Sequence, residues 1–288
     1  MVKKLRNASE PLLGAGPVEI RVPIPYFTKK KEESRSDMKI KRILNIVPLI
    51  LMVFAIGCQE TPKPTEKIRF GEGSPGISSS AFLIAKDQGY FADQGLEIEK
   101  KSFDSGKMSI ETMLTEGGLD IVAAGQLPIV MNSFERSDYA IVGVVVSGVN
   151  VHVIGRQDKG INQPSDLKGK KIGVAKGTTG ELFLHMLLTH NLIGVSDVEI
   201  VDMKTADLIQ AFTEGEIDAF SSWEPNPANA QISLGGNSII FVNKDIFHED
   251  YSIVANREFI KNHPQTLVRF LIAIDKAVEY IQKIESHQ

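Results

Sequence analysis

Lys171-Ile172-Gly173-Val174-Ala175 is followed by Lys176-Gly177-Thr178-Thr179-Gly180 and then by Glu181 to His190. A short apolar run leads through a glycine-rich turn into a segment whose Leu182, Phe183, Met186 and Leu187 recur at helical spacing. Gly194 stops that helix. Val198 to Val201 reads as the next strand, Ala206 to Glu214 as the next helix with Gly215 after it, and Glu216-Ile217-Asp218-Ala219-Phe220 as a third strand. This βαβαβ order is the half-unit of an open parallel sheet. The same order occurs earlier in the chain. Ile68-Arg69-Phe70 is a strand, Gly71-Glu72-Gly73-Ser74-Pro75-Gly76 a turn, and Ser78 to Gln88 a helix ending at Gly89. Leu96 to Phe103 is a second strand, Lys107 to Thr115 a helix stopped by Gly117-Gly118, and Leu119 to Ala124 a buried strand. From loop glycine to strand aspartate the spacing is 44 residues in the first copy (76 to 120) and 41 in the second (177 to 218). The prediction is an α/β protein of two lobes, each an open, mostly parallel sheet flanked by helices. Ligands sit beyond the carboxyl ends of such strands, so facing lobes make a cleft. The chain is expected to cross between lobes near residues 147–153 and 243–251.

Composition narrows the function. Of 288 residues, 42% are hydrophobic and 24% charged, enough apolar material for a packed core. Residues 1–37 and 38–57 each carry a net +3 within a chain total of −4, which leaves −10 on residues 58–288. An acidic body has no field to hold a polyphosphate backbone, so nucleic acid is excluded as a partner. One cysteine, Cys58, excludes an internal disulfide and any Cys-rich metal site. The six histidines show no metal-ligand spacing, and His185 and His190 are five apart, off the i, i+4 relation. No G-x-S-x-G elbow occurs. The expectation is a protein without catalysis, metal or cofactor.

Residues 38–57 read as a targeting signal. Lys39-Ile40-Lys41-Arg42 precedes an apolar run, Ile43 to Ile56, that is too short for a comfortable membrane span. It ends in Ala55-Ile56-Gly57-Cys58, which is similar to a bacterial lipobox, in which the cysteine takes a diacylglyceryl group and the signal is cut before it. The competing reading is a buried segment with an incidental cysteine. Residues 58–66 read as a polar tether. Residues 1–37 have no apolar periodicity and read as an extension from an early start codon, Met38 being the initiator, or else as a cytoplasmic arm.

The ordered motifs resemble a family. Gly89-Tyr90-Phe91, Gly95-Leu96-Glu97-Ile98, Ser105-Gly106, Gly118-Leu119-Asp120 and Gly125 resemble the first lobe of the substrate-binding proteins of nitrate, sulfonate, taurine and related ABC importers, the NMT1/THI5-like family. Leu167 to Val174, Gly177-Thr178-Thr179, Gly215 to Ala219 and Trp223-Glu224-Pro225 resemble the second. The resemblance implies a periplasmic-binding-protein-like fold, with lobe 1 at 67–148, lobe 2 at 149–245 and a return to lobe 1 at 246–288. Members normally continue for several more helices, so that return reads as shortened. It further implies a lipid-anchored, extracytoplasmic, monomeric protein that hands a small anion or zwitterion to an ABC permease, with the membrane reached through lipidated Cys58.

The binding residues expected on this basis are Ser78, Ser79, Ser105, Gln126, Thr178, Thr179, Trp223 and Glu224. Ser78 and Ser79, with Ser80, open a helix where unpaired N–H groups favour an anion. Thr178 or Thr179 can contact ligand or simply cap the next helix. Trp223 is read as a pocket wall rather than core. Glu224 either points away from the cleft or receives the amino group of a zwitterion such as taurine. Besides a truncated, ligand-free remnant, two other readings stay open. One is an exported relative binding a thiamine-precursor pyrimidine. The other is a nucleotide-using enzyme, since Gly71 to Gly76 fits G-x-G-x-x-G with Glu97 and Glu99 as ribose partners.

Overall fold

The computed structural model describes residues 65–73, 76–242 and 244–286. The extension, the signal segment, Cys58 and most of the tether lie outside the described residues. No described helix is long and apolar enough to cross a membrane.

The first βαβαβ unit is β1 (Glu66–Glu72), a 3-10 turn at Ile77–Ser79 leading into α1 (Ser80–Asp87), a short α2 (Tyr90–Asp93), β2 (Leu96–Ser102), α3 (Gly106–Thr115) and β3 (Ile121–Ala124). Gly89 follows α1 at φ 73°, the left-handed conformation that lets the chain turn at once into α2. After α4 (Gln126–Ser133) comes β4 (Tyr139–Gly148), and the chain crosses to the second sheet. There β5 (Val151–Arg156), β6 (Lys171–Val174), α5 (Thr179–His190), β7 (Glu199–Asp202), α6 (Leu208–Glu214), β8 (Ala219–Trp223), α7 (Asn226–Ser233) and β9 (Ser238–Phe241) follow. It then returns through β10 (Glu249–Asn256), α8 (Arg257–Asn262) and α9 (Pro264–Glu285).

The two sheets share one plan. Their orders are β2-β1-β3-β10-β4 and β7-β6-β8-β5-β9. In each, the three strands of the repeated unit are parallel. The fourth position is filled by a strand that has just crossed from the other lobe and runs antiparallel to both neighbours. Each sheet is therefore mixed but mostly parallel, four of its five strands running one way and the inserted strand the other. The reason is topological: helical crossovers make parallel neighbours, whereas β5 and β10 enter directly from the opposite lobe and run the other way.

The aspartates that marked the repeat are structural. Asp120 accepts from the backbone N–H of Arg69 at 2.9 Å, and Asp218 from that of Lys171 at 3.0 Å. Each carboxylate thus holds a backbone donor in the middle one of the three parallel strands of its βαβαβ unit, and in lobe 1 Arg69 also pairs with it through its guanidinium. The core of lobe 1 is an aromatic stack. Phe70 lies 4.8 Å from Phe82, and Phe270 of α9 lies 5.8 Å from Phe70 and 5.3 Å from Phe91, so α9 is bolted over β1, α1 and α2. Phe183, Leu184, Leu187 and Leu188 of α5 close the corresponding face of lobe 2.

Candidate ligand-binding cleft

Parallel strands of both sheets end at one cleft, and the segments that leave them supply most of its walls. From lobe 1 come Gly73, Gly76, Ser78 and Ser79 before α1, Ser105 to Lys107 at the start of α3, Gly125 and Pro128 at the start of α4, and Tyr251 and Glu249 of β10. Lobe 2 contributes Thr178 and Thr179 at the start of α5, and Trp223 at the end of β8. Four helix starts thus converge on one space. With the lobes this close the cavity is about 30 Å³, little more than a water site, so an organic solute enters only when the lobes part.

The hydroxyls in the wall are all buried, and most are not used as caps. Thr178 precedes α5 but makes no cap bond; its Oγ1 donates to Ala175 O at 2.7 Å, while Gly177 N–H donates to Glu181 at 2.7 Å. Thr179 Oγ1 donates to Glu249 Oε1 at 2.8 Å. The expected threonine cap is therefore absent, and no side-chain cap covers the start of α5. The serines before α1 do not cap it either. Ser105 does cap α3, accepting from Met108 N–H at 3.5 Å.

Ties between the lobes run through the crossings and the rim. Asn150, between β4 and β5, donates through Nδ2 to Ser78 Oγ at 3.1 Å and to Glu249 Oε2 at 2.8 Å. At the rim Asp104 of lobe 1 accepts from Thr205 N–H at 3.0 Å and Ala206 N–H at 3.1 Å of lobe 2. Lys107 lies across Gly177, where a Cβ would meet its Cε at 2.5 Å, and its ammonium pairs with Glu111 at 2.9 Å.

The hinge end of the cleft is acidic and dry. Burial raises the carboxyl of Glu249 above the usual range against the opposing hydrogen bonds from Asn150 and Thr179, and neighbouring Asp250 adds to the rise. Burial likewise raises Glu72, which pairs with Lys100 and lies beside Ser79. Tyr251 is pushed well above the ordinary phenol range by burial and by the charges of Glu72 and Glu249.

Ser78, Ser79, Ser105, Thr178, Thr179 and Trp223 all stand in the wall. Gln126 and Glu224 do not. Gln126 clips α4 to the start of β10, its Nε2 donating to His248 O at 2.7 Å and its Oε1 accepting from Asp250 N–H at 3.0 Å. Glu224 turns into a separate groove with Val149, Gln157, Gln231 and Ser238. It accepts there from Ala228 N–H at 3.2 Å at the start of α7, and lies 3.7 Å from His152. Burial raises Glu224 and lowers His152, desolvation opposing the charged form of each. The nucleotide loop also dissolves on inspection. Gly71 is inside β1, where a Cβ would strike Leu119 at 2.8 Å, and Glu97 pairs with Lys67 at 3.3 Å on the neighbouring strand. Lys107, Asn150, Glu249 and Tyr251 were not anticipated. Lys107 alone had a signal, following Ser105-Gly106 at a helix start.

Residues 77–284 match the family model described as NMT1/THI5 like. A Bacillus subtilis protein named "Putative aliphatic sulfonates-binding protein" is 30% identical over 250 residues, covering 81% of this chain and 72% of that protein. The "Taurine-binding periplasmic protein" of Escherichia coli is 26% identical over 208 residues, 70% of this chain and 63% of its own length. The alkanesulfonate-binding protein SsuA from Xanthomonas axonopodis pv. citri, solved bound to MOPS, superposes with a TM-score of 0.66 at 18% identity, covering 78% of this chain and 76% of its own. That likeness establishes the two-lobed periplasmic-binding-protein fold. Fold and relatives are those of binding proteins, not enzymes. The family model spans more than two thirds of the sequence, and the chain belongs to the NMT1/THI5-like family.

Proposed function

We propose that this chain is an extracytoplasmic solute-binding protein that closes on a small solute bearing an oxyanion, of the sulfonate, taurine or nitrate kind, and presents it to an ABC permease. The observation that carries this reading is the convergence of the starts of α1, α3, α4 and α5, with five buried serine and threonine hydroxyls, on one cleft between two hinged lobes. Helix starts offer unpaired N–H groups and the positive end of the helix dipole, which favour an anion. The names of the sulfonate- and taurine-binding relatives support the same class. A solute touching both lobes binds the closed form better and shifts the hinge equilibrium toward it; the permease then reads closure. Anchoring through a lipid on Cys58 belongs to this proposal, and Cys58→Ser is expected to remove acyl labelling and to leave an uncleaved precursor.

The test is calorimetric titration of the purified protein with ethanesulfonate, taurine, nitrate and bicarbonate, followed in parallel by the emission of Trp223, the only tryptophan. Saturable one-site binding of at least one, with a matching change in emission, is expected. Failure of all four to bind overturns the reading.

A further inference from the structure

We propose that Glu249 is a specificity-determining residue of this cleft, and that the solute it selects is a short zwitterion whose oxyanion lies on the helix starts and whose ammonium lies against the Glu249 carboxylate. This rests on the solute-binding reading above and says which members of that broad class the cleft takes.

The cleft has two electrically different ends. At one, beside Gly73, the start of α3 and the Ser105 hydroxyl present donors. The other, at the crossings, presents acceptors. Glu249 is 5% exposed, and both its oxygens receive only neutral donors, Thr179 Oγ1 and Asn150 Nδ2. Among the described residues no lysine, arginine or histidine pairs with it. The charges that bear on it and on adjacent Tyr251 are acids, Asp250 and Glu72. Asn150 Oδ1, also buried, has no donor at all. Lys107 is the sole basic side chain in the wall, and its ammonium is already held by Glu111.

A buried carboxylate without a counter-cation is costly, and a buried acceptor without a donor adds to the cost. An ammonium offers three N–H donors and one positive charge, and relieves the first of these costs. A bare oxyanion does the reverse, bringing a second negative charge into a dry space beside the first. The same arrangement therefore discriminates twice, attracting the zwitterion and repelling its deaminated analogue. Glu249 also ties Thr179 of lobe 2 to β10 of lobe 1, so the group that reads the ammonium is one that the closed form holds in place.

Titrations of the full chain compare taurine with ethanesulfonate and β-alanine with propionate, which separates the sulfonate from the carboxylate source of the oxyanion. In each pair the amine is the only functional group removed. For at least one pair the amino form is expected to bind 30-fold or more tighter than its partner. Glu249→Gln, which keeps the shape and removes the charge, is expected to bring that ratio to within about threefold. Glu249→Asp, which keeps the charge, is expected to retain a preference for the amine, and melting curves establish that each variant folds. Equal or tighter binding of the deaminated partner by the unmodified protein overturns the proposal while leaving the solute-binding reading intact. So does a Glu249→Gln variant that keeps the full ratio. Absence of binding by all four solutes overturns the proposal, and overturns the solute-binding reading as well when nitrate and bicarbonate also fail to bind.

Discussion

Gly125 sits between β3 and α4 at the point where the lobes touch. A Cβ there would lie 2.7 Å from Thr179 Cγ2, 2.9 Å from Glu249 Oε1 and 3.3 Å from Thr179 Oγ1. Carbon atoms in ordinary contact stand about 3.5–4.0 Å apart, so Gly125→Ala forces the two walls apart by about 1 Å. Backbone strain plays no part, because φ −69° and ψ 168° suit alanine as well as glycine. The cost falls on the closed form, since Thr179 belongs to the opposite lobe and Glu249 can turn aside once Thr179 has withdrawn. Overpacking of this kind costs about 1–3 kcal/mol, and each 1.4 kcal/mol is about tenfold in affinity. Solute affinity is therefore expected to fall about 5- to 150-fold. Melting temperature should hold or rise slightly, because alanine restricts the unfolded chain by about 0.4–1 kcal/mol where its conformation is tolerated. Calorimetry gives the affinity, and small-angle scattering with and without solute gives the degree of closure. An affinity within twofold of the unmodified protein, with the same scattering change on binding, would refute the assignment of Gly125 as the contact that permits closure.

Three further outcomes follow from geometry already described. Asp104→Ala removes the rim bonds to Thr205 and Ala206, and is expected to weaken solute binding about 30-fold by calorimetry, the two bonds at about 1 kcal/mol each being together worth about 2 kcal/mol, with little change in melting. Phe270→Ala empties the centre of the aromatic stack and should cost about 3–5 kcal/mol in urea unfolding. Glu72 has its folded value raised by burial, so the stability it contributes is complete below about pH 4.5 and is lost as pH rises through that raised value. The melting temperature of Glu72→Gln relative to the unmodified protein should therefore increase from acid toward neutral pH; a difference independent of pH would contradict the shift.

The sequence carried those parts of the fold that repeat and have local punctuation. The six strands and their helices in the two βαβαβ units lie close to their expected positions because glycines punctuate most of them and the helices have their own apolar period; β8 begins at Ala219, three residues after the expected Glu216. Strands β4, β5, β9 and β10 carry no such repeat, although residues 139–148 form a valine-rich run. Their partners are far away in sequence: Ile253 pairs with Ala123 on one side and Gly143 on the other, and no local pattern encodes that. The same limit applies to the cleft. Serines and threonines at helix starts were visible because a helix start is a local signal. Glu249 and Asn150 are brought to the cleft by the crossings, 99 residues apart in the chain. Trp223 and Glu224 are neighbours in sequence, but one lines the cleft and the other turns into the groove beside His152.

The exchange of strands between the lobes also bears on the order in which the protein can be built. Residues 151–241 contain every strand of the second sheet, so a growing chain can complete that lobe as soon as β9 has been synthesised. The first sheet cannot keep pace, although most of it is made earlier. β4 reaches β3 only through β10, and the Phe270 that seals its aromatic stack comes later still. Until then β3 and β4 each present an unpaired edge, and the half of the molecule that begins first is the half that finishes last.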